Sequence, residues 1–146
     1  MKIKLIWVGK TKERFILEGI NKYLALLKPY ADVGIAEIKE EKGKDILRMV
    51  EKEGERITRL KTPYVLLDEK GKSLTSIEFS RFIEKQGSSV SFVLGGAYGV
   101  SARVKEMAQT SLSLSGMTLT HEMSRLLLIE QLYRAFTIMQ KRGYHH

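Results

Sequence analysis

Cysteine is absent from this 146-residue chain, and disulfides, thiolate nucleophiles and zinc–thiolate centres are excluded with it. Proline occurs twice, at Pro29 and Pro63, so there is no proline-rich linker. Histidine is almost as scarce: His121, His145 and His146 are the full set, no pair has metalloprotease spacing, and no metal is expected. Apolar runs stay well short of the ~18 residues that a membrane span needs. The opening Met1-Lys-Ile-Lys-Leu-Ile-Trp-Val-Gly9 is too short for a secretory core and has no small-residue cleavage site. A cytoplasmic protein that avoids membranes is the expectation.

What the chain does have is basic charge and core-forming residues. Lysine plus arginine number 25 against 17 aspartate plus glutamate, a net charge of +8. Such an excess points to an anionic partner, nucleic acid first; a basic surface kept for solubility is the plainer alternative. The excess is spread along the chain and not gathered in a tail, which suits a folded basic face. An apolar content of 43% is enough for the core of one domain over residues 1–146.

Hydrophobic periodicity divides the chain into alternating strands and helices. Lys2–Val8 alternates around Ile3, Leu5 and Trp7 and predicts a strand that Gly9 ends. Thr11 is the expected cap of a helix through Ile16, Ile20, Tyr23, Leu24 and Leu27, stopped by Pro29. A strand over Val33–Ile38 and a helix over Asp45–Ile57 follow. Tyr64–Leu67 reads as a buried strand ending at Asp68, with Glu69–Lys72 as a turn. Thr75-Ser-Ile-Glu78 has the form of a capping box ahead of a helix through Ile77, Phe79, Phe82 and Ile83. Gly87–Ser89 breaks it, Val90–Leu94 is a core strand, and Ser101 can cap a short helix over Ala102–Ala108. Ser111–Leu114 alternates as a fifth strand, and the longest helix spans His121–Gln140. This alternation predicts an α/β fold with a mostly parallel sheet and helices on both faces. The last helix is apolar on more than one side, from Met123 through Leu126, Leu127, Leu132 and Tyr133 to Met139. It calls for a second packing partner: a sister subunit, or deeper burial within the chain.

Lys70-Gly-Lys-Ser73 resembles the end of a P-loop, but the pattern needs glycine at position 66, where Leu66 stands. Gly95-Gly-Ala-Tyr-Gly99 follows a core strand, where glycines admit close approach of a ligand to backbone. Ala97 breaks the dinucleotide-binding spacing, so a tight turn explains this loop as well as a cofactor does. Ser113-Leu-Ser-Gly-Met-Thr-Leu119 runs from the fifth strand into Thr120-His121 and offers free backbone polar groups beside apolar side chains. An adenine can be held that way, and a polar strand–helix connection is the alternative. Glu130 and Arg134, at i and i+4, predict an ion pair on one helix face. Lys141–His146 is a basic, aromatic tail that can either fray or contact RNA.

Taken together, Leu67-Asp68 with Gly71-Lys72, Phe92–Val100, Leu112–His121, Leu128-Ile-Glu-Gln-Leu-Tyr-Arg-Ala135 and Gly143-Tyr-His145 resemble the RlmH family of SPOUT-class methyltransferases, over essentially the whole chain. The resemblance implies an α/β fold with a C-terminal trefoil knot, a rare exception to unknotted topology. It implies a homodimer, S-adenosyl-L-methionine as cofactor, and methylation at N3 of the pseudouridine at position 1915 of 23S rRNA. By the same resemblance the cofactor contacts fall on Leu67, Gly95, Leu114, Ser115, Gly116, Met117, Thr118 and Leu119. Thr120 stands where the family usually has proline, and Thr can cap the helix it precedes. The chain ends Gly143-Tyr144-His145-His146, without the terminal basic residue common in the family.

Methyl transfer to a pseudouridine nitrogen requires in-line placement and loss of the N3 proton. Tyr144 and His145 are the candidates for that proton chemistry, and Arg142 for contact with RNA. An assembled ribosome is the expected substrate, because so small a chain has little surface for reading RNA sequence. A non-catalytic RNA-binding protein on the same scaffold is the competing reading; a nucleotide hydrolase is disfavoured by the missing P-loop and metal cluster.

Overall fold

Five strands pair side by side in a computed structural model that describes residues 1–146. They are β1 (Lys2–Val8), β2 (Asp32–Ile38), β3 (Val65–Ser73), β4 (Ser89–Leu94) and β5 (Thr110–Ser113). The helices are α1 (Arg14–Leu27), α2 (Ile46–Thr58), α3 (Ser76–Glu84), α4 (Ala102–Met107) and α5 (His121–Met139). The sheet order is β2-β1-β4-β3-β5 and every pairing is parallel.

This order explains why both sheet faces are covered. From β1 the chain steps toward the β2 edge, from β2 back across to β3, from β3 toward β2 again, and from β4 out to β5. Parallel crossovers share one hand, so steps in opposite directions put their helices on opposite faces. Accordingly α1, α3 and α5 lie on one face and α2 and α4 on the other. The first face packs Ile16, Ile20, Phe79, Ile83, Leu128, Ile129 and Leu132 on Ile3, Leu5, Trp7, Phe92 and Leu94. The second packs Ile57 and Val104 on Ile6, Val8, Ile38, Leu66 and Val93. Alternate residues of β1 thus serve two cores, as the period of a strand requires.

Several expectations meet the structure directly. Thr75 accepts from the Glu78 N–H at 3.1 Å while Glu78 accepts from the Thr75 N–H at 2.7 Å, a complete capping box. Ser101 caps α4, and Thr120 caps α5 by accepting from the Met123 N–H at 3.2 Å. Thr120 therefore does the work expected of it in place of proline. The helix α5 closes in a Schellman motif: Lys141 takes φ +53°, its N–H donates to the Ile138 carbonyl, and the Arg142 N–H donates to the Thr137 carbonyl.

Two local expectations fail. Thr11 does not cap α1; Glu13 is the first flanking residue and its side chain makes no capping bond. The Thr11 hydroxyl is engaged by Arg125 instead, and Glu122 takes up the N–H groups of Lys12 and Glu13. A long-range carboxylate replaces the local cap, which no pattern within α1 can reveal. The turn expected at Glu69–Lys72 belongs to β3. Its pairing with β5 shifts between Leu67 and Lys72, so the chain bulges out and then re-pairs, with both Leu67 and Lys72 opposite Leu112. Gly71 permits this: a Cβ there would lie 2.7 Å from backbone atoms of Ser111 and Leu112. Gly71→Ala is therefore expected to cost about 1–3 kcal/mol of unfolding free energy. Urea denaturation would show a lower midpoint at unchanged slope.

Within the chain, the flanks of α5 are covered by α1 and α3. Leu126 packs on Gly19, where a Cβ would meet Leu126 Cδ1 at 2.8 Å. On the other side the Ser76 hydroxyl donates to Gln131 at 2.7 Å. Leu126, Leu127, Tyr133 and Ile138 nevertheless remain only half-buried.

Candidate functional site

Adjacent parallel strands whose following helices go to opposite faces leave a crevice beyond their carboxyl ends. Here β3 leads to α3 on one face and β4 leads to α4 on the other. A cleft of about 270 Å³ opens at that point, walled by the β3 bulge, the glycine loop after β4 and the loop between β5 and α5. Its size lies just below the ~300–1,000 Å³ usual for small-molecule sites.

Seven of the eight residues that the resemblance assigns to the cofactor line this one cleft: Leu67, Gly95, Leu114, Ser115, Met117, Thr118 and Leu119. Gly116 belongs to the same loop but does not line it. The wall also includes residues that the sequence did not single out for a ligand, chiefly Asp68, Glu69, Leu94, Lys105, His121 and Ser124. Their one available signal was position, at a strand's carboxyl end or a helix's first turn.

The loops are held by short-range bonds. The Ser113 hydroxyl donates to the Ser115 carbonyl at 2.8 Å, and the Ser115 hydroxyl accepts from the Met117 N–H at 2.9 Å. The Thr118 hydroxyl donates to the Glu69 carboxylate, joining the β5–α5 loop to the β3 bulge across the mouth. Lys105 lies 3.8 Å from Asp68. Met117 is 79% exposed, an apolar side chain left uncovered at the cleft edge. At Gly95 a Cβ would lie 2.8 Å from the Gly99 carbonyl carbon and 2.9 Å from Val100 Cγ1, so only glycine fits that wall. No grouping of three or more His, Cys, Asp or Glu side chains is placed to hold a metal ion.

Behind the cleft, the first turns of α5 carry two buried charges, Glu122 and Arg125, that act on each other through space without forming a salt bridge. Arg125 is fully buried, its guanidinium 4.9 Å from the Trp7 ring centre. It donates to the Val8 carbonyl at 2.6 Å and to the Thr11 hydroxyl at 3.0 Å. Burial pushes the Glu122 carboxyl up, but N–H donors from Glu13 and Lys12 and the charge of Arg125 more than offset this and hold it below its usual range. Burial also holds the His121 imidazole below its ordinary value, helped by the positive charge of Arg125. The folded state thus resists protonating His121 while the unfolded chain does not. Stability is full above the ordinary histidine range and falls as pH drops through ~6.5. Wild type is expected to lose more stability than His121→Gln between about pH 7.5 and pH 5.5 in urea titrations.

The tail sits elsewhere. The Tyr144 hydroxyl donates to Glu130 at 3.0 Å and lies 3.3 Å from the Tyr23 hydroxyl, and its ring packs edge-on to Tyr133. Glu130 also accepts from Arg134 at 2.6 Å, the pair expected from the spacing. Arg134 Nη1 lies 3.1 Å from His145 Nδ1; a guanidinium can only donate, so Nδ1 accepts. Arg142 is exposed, its guanidinium 5.9 Å from the Tyr30 ring centre. Glu130 is nine residues past His121, about 13 Å along the helix axis. Tyr144, His145 and Arg142 are therefore not part of the cleft of their own chain. Burial, with hydrogen bonds to Tyr23 and Glu130, pushes the Tyr144 phenol well above its usual value. In this arrangement Tyr144 is a hydrogen-bond donor, and the acceptor nitrogen of His145 is already engaged.

Comparison with known proteins agrees with this architecture. A family model described as "Predicted SPOUT methyltransferase" matches residues 1–145. Among curated proteins, the chain is 49% identical to the ribosomal RNA large subunit methyltransferase H of Thermodesulfovibrio yellowstonii, over 99% of each chain. It is 42% identical to the protein of the same name from Geotalea daltonii, over 100% of each. Among solved structures, a probable methylase family protein from Haemophilus influenzae superposes with a TM-score of 0.61 at 8% identity, covering 99% of this chain and 70% of that one. TrmJ from Z. mobilis superposes with a TM-score of 0.53 at 10% identity, covering 92% and 70%. At such low identity these two likenesses concern the fold.

Proposed function

Since this chain belongs to the SPOUT methyltransferase family, and within it groups with the large-subunit ribosomal RNA methyltransferases H, we propose that it transfers a methyl group from S-adenosyl-L-methionine to 23S rRNA. The finer reading is N3-methylation of pseudouridine 1915 on assembled ribosomes in the cytoplasm, by a homodimer.

The observation that carries the cofactor assignment is the convergence of three separate loops on one cleft at the carboxyl ends of β3, β4 and β5. The donor set suits this cofactor. Leu67, Leu94, Leu114 and Leu119 supply apolar faces for an adenine, and the glycine and serine loops supply backbone polar groups. Asp68 and Glu69 place negative charge where a ligand carrying a sulfonium and an ammonium group is favoured. Bound there, the cofactor would supply an already activated methyl group. The chain's own task is to align the nucleotide and exclude water.

The tail supports the dimer. Tyr144 and His145 cannot reach the cleft of their own chain from the far half of α5, so their part in the chemistry needs the cleft of a second copy. The half-buried Leu126, Leu127, Tyr133 and Ile138 leave α5 apolar surface for such a neighbour. Tyr144, held protonated, would donate to a base carbonyl and stabilise the charge left by the departing N3 proton. His145 would accept that proton once released from Arg134, with Arg142 against a phosphate.

The test is mass-spectrometric mapping of methylated nucleotides after incubating the protein with ribosomes, or with naked 23S rRNA, and labelled cofactor. One modified pseudouridine, formed on ribosomes far faster than on naked RNA, is expected; equal methylation of both would remove the ribosome from the reading. Unchanged turnover of a Tyr144→Phe/His145→Ala variant at saturating cofactor and RNA would remove the tail from the chemistry.

A further inference from the structure

One turn of α5 spends buried charge on holding a short surface loop. Between β1 and α1, residues Gly9–Glu13 are gripped at four points. Arg125 holds the Val8 carbonyl and the Thr11 hydroxyl, and Glu122 holds the N–H groups of Lys12 and Glu13. Burying such charges costs several kcal/mol per ion before pairing offsets it. An apolar contact would anchor a merely connecting loop without that cost. The loop's backbone is fixed, but the side chains of Lys10 and Lys12 are exposed to solvent.

The neighbourhood is mixed in charge: Lys39 adds a cation, while Glu37 and Glu40 add carboxylates that act on Arg125. The Gly9 N–H donates to the Ile38 carbonyl at 2.8 Å, which brings Lys39, exposed, beside Lys10. Lys12 has one carboxylate partner, Glu40, at 3.8 Å. Lys10 and Lys39 take part in no salt bridge. The end of β1 lies one strand from the cleft and the end of β2 two: β1 pairs with β4, and Val8 is in contact distance (3.5 Å) of the Cβ position of Gly96, a residue of the cleft wall. Neighbouring strands are about 4.8 Å apart.

We propose that Lys10, Lys12 and Lys39, on the clamped Gly9–Glu13 loop and the adjoining end of β2, are the phosphate contacts for the RNA strand whose target base enters the cleft. Lysine ammonium groups are mobile point charges that suit phosphate oxygens and read no base sequence. With the base in the cleft, a strand that runs across β1 toward β2 would bring its flanking phosphates to these three cations. Glu40 then competes with phosphate for Lys12. The inference rests on the RNA-substrate reading above, but its measurements separate the two.

The experiment uses the full chain and ribosomes carrying labelled 23S rRNA, and RNA binding below means binding to these particles. Lys10→Ala/Lys39→Ala is expected to weaken RNA binding about ten-fold near physiological salt and to lower the slope of log affinity against log salt by between about 1 and 2. Its affinity for S-adenosylhomocysteine, measured by calorimetry, stays at the wild-type value. Glu40→Gln, which frees Lys12, binds RNA at least as tightly as wild type. Unchanged RNA affinity and salt slope in the lysine variant overturn the proposal, as does a loss of binding in Glu40→Gln, which would trace the effect to loop structure and not charge. If wild type binds RNA through these lysines but transfers no methyl group, the catalytic reading falls and this one stands. If wild type methylates and the lysine variant binds as before, the reverse holds. Failure of wild type to bind RNA overturns both.

Discussion

Gly95→Ala is expected to reduce affinity for S-adenosylmethionine and S-adenosylhomocysteine by between about ten-fold and a hundred-fold. The reason is space. The added carbon would sit 2.8 Å from the Gly99 carbonyl carbon, 2.9 Å from its oxygen and 2.9 Å from Val100 Cγ1. Two of the three atoms are backbone, so no side-chain rotation relieves the contact, and the turn Gly96–Gly99 has to move. That turn is a wall of the cleft. Relieving such overpacking costs about 1–3 kcal/mol, and each 1.4 kcal/mol is a factor of ten in affinity if the cost is realised when the cleft closes on a ligand. Gly34→Ala is the control, in β2 away from the cleft, where an added Cβ meets nothing within 4 Å. Calorimetric titration of both variants, with thermal unfolding alongside, decides the matter. Equal affinity of Gly95→Ala and wild type would mean that this loop does not contact the cofactor.

Arg125→Met is expected to cost about 3–5 kcal/mol of unfolding free energy, a large share of what a domain this size has. Methionine fills much of the volume but cannot donate to Val8 or Thr11, and it leaves Glu122, 7% exposed, without its nearest positive charge. Removing one buried charge leaves the groups it bonded and the opposite charge beside it uncompensated; Glu122 and Arg125 are coupled through space and through the loop that both hold. Glu122→Gln/Arg125→Met is therefore expected to be more stable than the sum of the two single changes implies. The pair is not ideal as it stands. Arg125 Nε and Trp7 Nε1 are buried without hydrogen-bond partners, so part of the desolvation is not offset within the chain. Urea unfolding of the four proteins in the cycle gives the coupling. An Arg125→Met variant within 1 kcal/mol of wild type would show that the clamp on the β1–α1 loop contributes little to stability.

Much of this architecture was legible from residues alone. Strand alternation at Ile3, Leu5 and Trp7, the capping box at Thr75–Glu78, and the caps Ser101 and Thr120 are local signals, and each appears in the structure where the spacing placed it. The i, i+4 pair of Glu130 and Arg134 is of the same kind. The cleft loops were legible in part: their glycines and hydroxyl residues marked places where backbone is accessible, but did not separate a ligand site from a tight turn. The residues the reading missed, such as Asp68, Glu69, His121 and Arg125, have no local pattern. Each depends on an element far away in sequence.

By itself the sequence determined the alternation of elements, the net basic charge and, through its long C-terminal block, the family. These follow from period, composition and contiguous motif, which a chain carries without being folded. Tertiary structure decided the strand order, which helices share a face, and hence where the crevice opens. It decided that Glu122 and Arg125 replace a local cap at Thr11, that β3 continues through its bulge onto Leu112, and that Tyr144 and His145 lie on α5 and away from their own cleft. The physical reason is common to all of these. A buried charge, a close backbone crossing or a docked tail is stable only when its partner arrives from another part of the chain, and that meeting is arranged by the path of the chain across the sheet.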